Sequence, residues 1–485
     1  MYFCLYQFKI ETMILRNMNI LKCLFGILGC LWAGIEVYSQ IQLPSVFSDG
    51  MVLQRNSRVA IWGWGNPAEE LLLLPGWNVK DTVRVKVDCQ GCWKAELRTS
   101  AAGGPYTLEI KGTRESRRIA DVMLGEVWLC SGQSNMEWSA DMGIKNGAEE
   151  VAQAACPSVH IFHVPKQGSA FPQDDCRGQW ESCSPQSMRR TSATAYFFAR
   201  FLSEQLDVPV GILVSAWGGT PAEVWTPAEV VEADSVLSRN VLKEYPWWPV
   251  APGVLYNRMI HPLVPYGLAG CIWYQGESNH ENASSYGRLM TQMIGAWRER
   301  FRQPLPFYYV QIAPHTYHSA HNTPALLREQ QQSVLETVSR TGMINISDLV
   351  EDVKDIHPRN KRAIGERLGC MVLDKEYERF VAPYESPRLA EASLQGRQLV
   401  LRFEGRFNRL VSSTRHIVGL SVTEGGRTSV AVKAKLEGRN LIIPVKGFKW
   451  PVQVSYCFDD ATLGSLRTED GLPVLPFRTE PIGPR

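Results

Sequence analysis

The spacing of apolar residues changes twice along the chain. Between about 41 and 121 apolar and polar positions alternate in short runs, as in SRVAIWGWG (57–65), DTVRVKVDC (81–89), CWKAELRTS (92–100) and PYTLEIKGT (105–113). Glycine, asparagine and aspartate separate the runs, so the segment predicts an all-β unit of sandwich type. From about 122 DVMLGEVWLC (121–130) is a continuous apolar run, and VPVGILVSA (208–216), LAGCIWY (268–274), LPFYYVQIA (305–313) and GMINISDL (342–349) read as further strands. Such runs suit strands buried on both faces. Between them lie segments of helical period at 191–206, 284–301, 323–340 and 359–377, the first opening on a Thr/Ser cap. Strands alternating with helices predict a parallel sheet covered on both sides, a three-layer α/β/α domain. After about 378 short β runs return. The expected organisation is an N-terminal leader over 1–39, a sandwich-like β domain over 40–121, an α/β domain over 122–378 and a C-terminal β module over 379–485.

The leader is predicted from Lys22, the apolar CLFGILGCLWAG and the small Ser39. This is the layout of a secretory signal peptide, and its apolar run of about 12 residues is short of the ~20 that span a bilayer. The expectation is a secreted protein with no transmembrane segment after cleavage, periplasmic or outer-surface in a bacterium. ILGC ending at Cys30 also resembles a lipoprotein acylation box, which the apolar residues after it disfavour.

The remainder is ordinary for a globular protein: 485 residues, 45% hydrophobic, 21% charged, net charge +2. That charge, with no basic cluster, argues against a nucleic-acid partner. Of 12 cysteines, nine follow residue 39, an odd and sparse set that excludes a disulfide scaffold. Cys89 and Cys92 flank Gln-Gly and read as a turn rather than a zinc site; Cys176 and Cys183 could pair in an oxidising compartment. No metal or cofactor is expected. The 15 tryptophans leave room for a sugar-binding surface.

In a doubly wound parallel sheet, ligands sit beyond the carboxyl ends of the strands. Four such ends carry small or reactive polar groups: SGQSNMEW (131–138), WGGTPAEVW (217–225), QGESNHE (275–281) and DIHPRNK (355–361). A serine hydrolase needs a hydroxyl, an oriented imidazole and donors for an oxyanion. Ser134 is the expected nucleophile, presented by a turn at Gly132, with Ser131 its rival; read alone, either Ser134 caps a helix or it is a nucleophile. His357 is the expected base, with Asp355 two residues away as its acceptor. Gly218 and Gly219 free main-chain N–H groups, and Gln275 and Asn279 offer amides, for the oxyanion hole formed with the Ser134 N–H. Glu277 would repel an oxyanion, so it braces the site or serves as the alternative acid. An imidazole base places a pH limb near neutrality, at about pH 6–7.

Taken together, GEVWLCSGQSNMEW, SAWGGTPAEVWTP, PGVLYNRMIHPL, IWYQGESN, DIHPRNKRAIGERL and DGLPVLPFR resemble the SGNH (GDSL-type) hydrolases, and within them the sialate O-acetylesterase-like family. The resemblance runs from LPSVFSDGMVLQR to LPFR. It implies an SGNH-hydrolase α/β/α domain with flanking β modules. It also implies a serine esterase that removes acetyl groups from sugar hydroxyls, with sialic acid as the sugar and acetylxylan or another polysaccharide as the alternative. A different class, a carbohydrate-binding protein without catalysis, would use the same tryptophans. By motif, Ser134 is the nucleophile, Gly219 or Gly218 and the QGESN stretch supply the second and third blocks, and Asp355 and His357 the last. The chain departs from the superfamily in Gly-Gln-Ser for Gly-Asp-Ser, in lacking Gly-x-Asn-Asp, and in spacing Asp-x-His rather than Asp-x-x-His. Asp355, Glu277 or neither is the partner of His357.

Overall fold

The computed structural model describes residues 40–319, 321–430 and 432–483. The leader at 1–39 and Cys30 lie outside the described residues. Period-2 burial shapes the first β segment. In Arg58–Trp64 the buried side chains are Val59 and Ile61, and in the antiparallel Cys92–Arg98 they are Trp93, Ala95 and Leu97. Glu70–Pro75 buries Leu71 and Leu73 and pairs with Val83–Lys86 and Gly103–Lys111. Alternate burial is what one covered face of a pleated strand demands. Cys89–Cys92 forms a turn: Asp88 Oδ1 accepts from the N–H groups of Gln90 and Cys92, both at 2.8 Å.

The central sheet is built from β1 (Ser116–Gly132), β2 (Val159–His163), β3 (Gln179–Ser182), β4 (Val210–Ala216), β5 (Gly270–Tyr274), β6 (Phe307–Val310) and β7 (Thr341–Ile344). Their order is β7-β6-β5-β1-β4-β2-β3, parallel except for the edge strand β3. Every residue of β4 and β5 is buried, because helices cover both faces. One layer holds α2 (Ala193–Leu206) and α5 (Lys361–Tyr377), packed with Trp128, Cys130, Ile212 and Ile272. The other holds α3 (Tyr286–Phe301) and α4 (Thr323–Thr337), packed with Val127, Leu129, Leu213 and Trp273. Alternate residues of β1 thus enter opposite cores, giving the expected three-layer α/β/α fold.

β1 is one 17-residue strand. Its first part pairs antiparallel with Gly103–Lys111 and its last part is the middle of the parallel sheet. The strand therefore runs unbroken through 121–122, where the hydrophobic pattern changes. After α5 come antiparallel sheets, including Arg388–Gln395 with Gln398–Glu404 and Leu420–Glu424 with Val452–Tyr456. Cys176 and Cys183 do not pair. Cys176 Sγ lies 3.8 Å from Ser45 Oγ, whereas Cys183 Sγ turns to the Ala154 carbonyl in the opposite core layer. Among the described residues no helix is long and apolar enough to cross a membrane.

Register fixes where the strands end. Gly132 of β1 stands level with Ala216 of β4 and Tyr274 of β5, so three chain segments leave the sheet side by side. Gly132 has φ +139°, and a Cβ there would fall 2.2 Å from the Tyr274 carbonyl oxygen. Both backbone strain and a main-chain clash exclude a larger residue. Gly132→Ala is expected to destabilise the fold by on the order of 3 kcal/mol, read as a lower midpoint in urea unfolding.

Candidate functional site

Ser134 opens the four-residue helix α1 (Ser134–Glu137) directly beyond β1. His357 arrives on the loop between β7 and α5, whose first turn is capped by Asn360 Oδ1 accepting from the Ala363 N–H at 3.2 Å. The His357 Nε2 and Ser134 Oγ atoms are 3.0 Å apart, within hydrogen-bond range for a nucleophile and its base. Trp138 stacks on the imidazole with ring centroids 3.8 Å apart and planes at 19°, and its Nε1–H donates to the Gly143 carbonyl at 3.0 Å. The rival Ser131 is wholly buried within β1, and its hydroxyl does not reach the site.

Asp355 holds His357 by the main chain first. Its Oδ1 accepts from the His357 N–H at 3.0 Å, and its Oδ2 from Arg359 Nε at 3.2 Å. The same Oδ1 is 3.7 Å from His357 Nδ1, beyond a good hydrogen bond. Burial would raise the Asp355 carboxyl, but the bonds from His357 and Arg359 outweigh it and hold it below the usual carboxylate range. Burial pushes the His357 imidazole down to about 4, the nearby Lys361 ammonium pushes the same way, and Asp355 opposes both.

Glu277 does not meet His357. Its Oε1 accepts from Asn135 Nδ2 at 2.6 Å, and Asn135 Nδ2 also donates to the Ile356 carbonyl at 3.0 Å. Asn135 Oδ1 accepts from Lys361 Nζ at 2.6 Å. Lys361 is fully buried, with Nζ 5.2 Å from the Tyr274 ring centroid. A lysine and a glutamate, both out of water, are thus bridged by the carboxamide next to Ser134. Burial lowers Lys361 to about 7 and raises Glu277, and the charge of each opposes the other's shift. The alternative-acid reading of Glu277 is therefore corrected: its Oε1 is bonded to Asn135, and among the described residues neither of its oxygens bonds to His357.

The oxyanion candidates separate by what they already bond. Gly218 N–H donates to Glu137 Oε2 at 2.6 Å, and Glu137 Oε1 accepts from Lys166 Nζ at 2.6 Å. Gln275 Nε2 donates to Asn279 Oδ1 at 2.7 Å while its Oε1 accepts from the Tyr286 hydroxyl at 2.8 Å. Asn279 Nδ2 donates to Glu223 Oε2 at 2.8 Å, and its Oδ1 also takes the Ala222 N–H at 2.9 Å. Gly218, Gln275 and Asn279 are committed to holding the loops, a correction to their expected role as donors. Among the described residues no protein acceptor pairs with the N–H of Ser134 or Gly219. Gln133 lies beside them on the cavity wall. Its Oε1 accepts from the N–H groups of Gly276 (3.3 Å) and Ser278 (3.2 Å), which turns its Nε2 the other way. Sequence reasoning passed over Gln133, Asn135, Trp138 and Lys361. The signal available was their place inside GQSNMEW and DIHPRNK, one to four residues from Ser134 and His357.

Gln133, Ser134, Trp138, Gly219 and His357 border a cavity of ≈ 460 Å³ that also meets Tyr245, Trp248, Ser278, His280 and Tyr317, a size suited to a small ligand. Lys361→Met is expected to cost about 3–5 kcal/mol at pH 6, where Lys361, lowered to about 7, is still mostly protonated and its loss leaves Glu277 as an uncompensated buried charge. In that variant the raised Glu277 loses stability as pH climbs through its folded pKa. The defect should therefore shrink at pH 5, as urea unfolding at the two pH values would show.

The family model described as "Carbohydrate esterase, sialic acid-specific acetylesterase" matches residues 124–374. The chain is 30% identical to the sialate O-acetylesterases of Homo sapiens and Pongo abelii over 394 residues, 74% of this chain and 75% of each of theirs. It is also similar to the crystal structure of a carbohydrate acetylesterase from Xanthomonas citri. The TM-score is 0.81 and the identity 33%, covering 91% of this chain and all of that one.

Proposed function

The chain belongs to the sialic acid-specific acetylesterase family of carbohydrate esterases and is a carboxylic ester hydrolase; within that family we propose that it removes O-acetyl groups from sialic acid by a serine acyl-enzyme route. The observation that carries this reading is the 3.0 Å approach of His357 Nε2 to Ser134 Oγ at the wall of a sugar-sized cavity. His357 takes the Ser134 proton as Oγ attacks the acetyl carbonyl. The oxyanion is met by the N–H groups of Ser134 and Gly219 and by Gln133 Nε2. His357 then protonates the departing sugar hydroxyl, and water, deprotonated by the same imidazole, releases acetate. Asp355 acts as a positioning residue through the His357 main chain, and a small ring rotation brings Nδ1–H to its carboxylate as positive charge develops. The apolar stretch after Lys22 supports export to where acetylated glycans are met.

Acetate release measured in parallel from 9-O-acetylated sialic acid and acetylated xylan tests the substrate; faster turnover of xylan would displace the sialate reading. Ser134→Ala should lower kcat by at least about 10³, and undiminished release would remove Ser134 from the scheme. The pH limb expected near neutrality moves down. A base held at about 4 stays unprotonated from neutral pH to roughly one unit above that value, so kcat/KM should stay level between pH 7 and 5 and fall only toward pH 4. A limb at 6–7 would contradict the depression of this imidazole by burial and by the Lys361 ammonium.

A further inference from the structure

The cavity wall facing the catalytic pair is the segment 241–248. It is anchored by Asn282 Nδ2 donating to the Val241 carbonyl at 2.9 Å and by a main-chain bridge between Tyr245 and Trp248. The Tyr245 and Trp248 rings lie 4.4 Å apart. Trp248 presses on the oxyanion loop: Gly219 has φ +78°, and a Cβ there would fall 2.4 Å from Trp248 Cε3. This wall is thereby keyed to the loop that would receive the oxyanion.

Lys243 projects from it with Nζ 5.1 Å from the Tyr245 ring centroid. Among the described residues it is the one lysine or arginine that borders the cavity. The two carboxylates there differ in kind: Glu277 is buried and bonded to Asn135, while Glu281 is exposed at the rim. The contact with Tyr245, with a smaller pull from Glu281, keeps the ammonium protonated. A lysine on open surface is ordinarily only a solvated charge. Here the Tyr245 side chain steadies it, through a hydrogen bond and the proximity of the ring, while the remaining N–H donors of the ammonium stay available to an incoming anion.

We propose that Lys243 is a specificity-determining residue: its ammonium, carried beside Tyr245 on the cavity wall, binds the carboxylate of an acidic sugar and so favours O-acetylated acidic sugars over neutral ones. This rests on reading the cavity as the site of an esterase for acetylated sialic acid. A charged pairing with the sugar carboxylate, which takes no part in the acetyl transfer, acts on binding, so it is read in KM rather than kcat. Trp248 and Tyr245 supply the apolar faces on which the sugar ring rests.

The test compares 9-O-acetylated sialic acid with its methyl ester, which keeps the acetyl group and loses the charge. Wild-type enzyme should prefer the acid. In Lys243→Met its kcat/KM should fall about tenfold to a hundredfold through KM, with the methyl ester changed less than about threefold, so that the preference collapses. Lys243→Arg should retain the preference and Lys243→Glu should invert it. Equal losses on both substrates, or a preference that survives Lys243→Met, would overturn the assignment to Lys243 while leaving the sialate reading in place. A wild-type enzyme that cleaves acetylated xylan but neither sialate substrate would overturn both.

Discussion

The site depends on one carboxamide. Asn135 joins three segments that leave the sheet at different strands: it follows Ser134, it donates to Glu277 beyond β5, and it donates to the carbonyl preceding His357. Its oxygen takes the buried Lys361 ammonium at the start of α5. Placing an ammonium and a carboxylate out of water costs several kcal/mol each, and the cost is offset only where good hydrogen bonds accompany the attraction. An apolar residue at any of the three positions would strand the other two. This explains a carboxylate that looked misplaced: the charges of Glu277 and Lys361 counter each other beside the place proposed for the oxyanion.

The same arrangement sets the state of the imidazole that the proposed route uses as its base. His357 is stacked under Trp138, mostly shielded from water, and sits within reach of the Lys361 field. It is therefore free base at neutral pH and always ready to accept a proton. In the proposed acyl-enzyme route a depressed pKa would also weaken the base, so the imidazolium formed there would need stabilising. Asp355 is suited to that task. Its carboxylate stays ionised, is fixed by the His357 N–H and Arg359, and stands 3.7 Å from Nδ1. In that route its contribution would fall on the transition state more than on the resting ring, which fits the short Asp-x-His spacing: the first bond that spacing permits is to the main chain.

Most of the architecture was legible because it follows from periodicity. Runs apolar at every position gave β1, β4, β5, β6 and β7, and Ser192, whose hydroxyl accepts from the Ala195 N–H, starts α2 where a cap was expected. The strands β2 (VHIFH) and β3 (QWES) were not legible, being short and carrying His, Gln and Glu at the sheet edge. At the site, strand-end reasoning named Ser134 and His357, which lie together. It could not decide among amide donors, since availability depends on partners distant in sequence: Tyr286 and Asn279 occupy Gln275, Glu223 occupies Asn279, and Glu137 occupies Gly218. Lys361 was invisible for a related reason. A lysine at a helix start is ordinarily solvated, and only the fold shows that this one is enclosed.

The β-rich segments on either side are tied into the site rather than appended to it. On the N-terminal side the tie is covalent, since β1 carries Ser134 at its tip and pairs with Gly103–Lys111 at its base. On the C-terminal side it runs through one loop. The Asp460 carboxylate accepts from the Ser319 hydroxyl at 2.5 Å and N–H at 2.8 Å, and its carbonyl takes the His315 N–H at 3.1 Å. The buried Arg328 of α4 donates to the carbonyls of Cys457 and Asp459. Between His315 and Ser319 stands Tyr317, which borders the cavity and packs on His280, itself bonded to the Glu277 carbonyl. A shift of the 457–460 turn would therefore move Tyr317 and, through His280, the segment that holds Glu277. The C-terminal sheets thus bear on the same Asn135–Lys361–Glu277 arrangement that fixes Ser134 against His357.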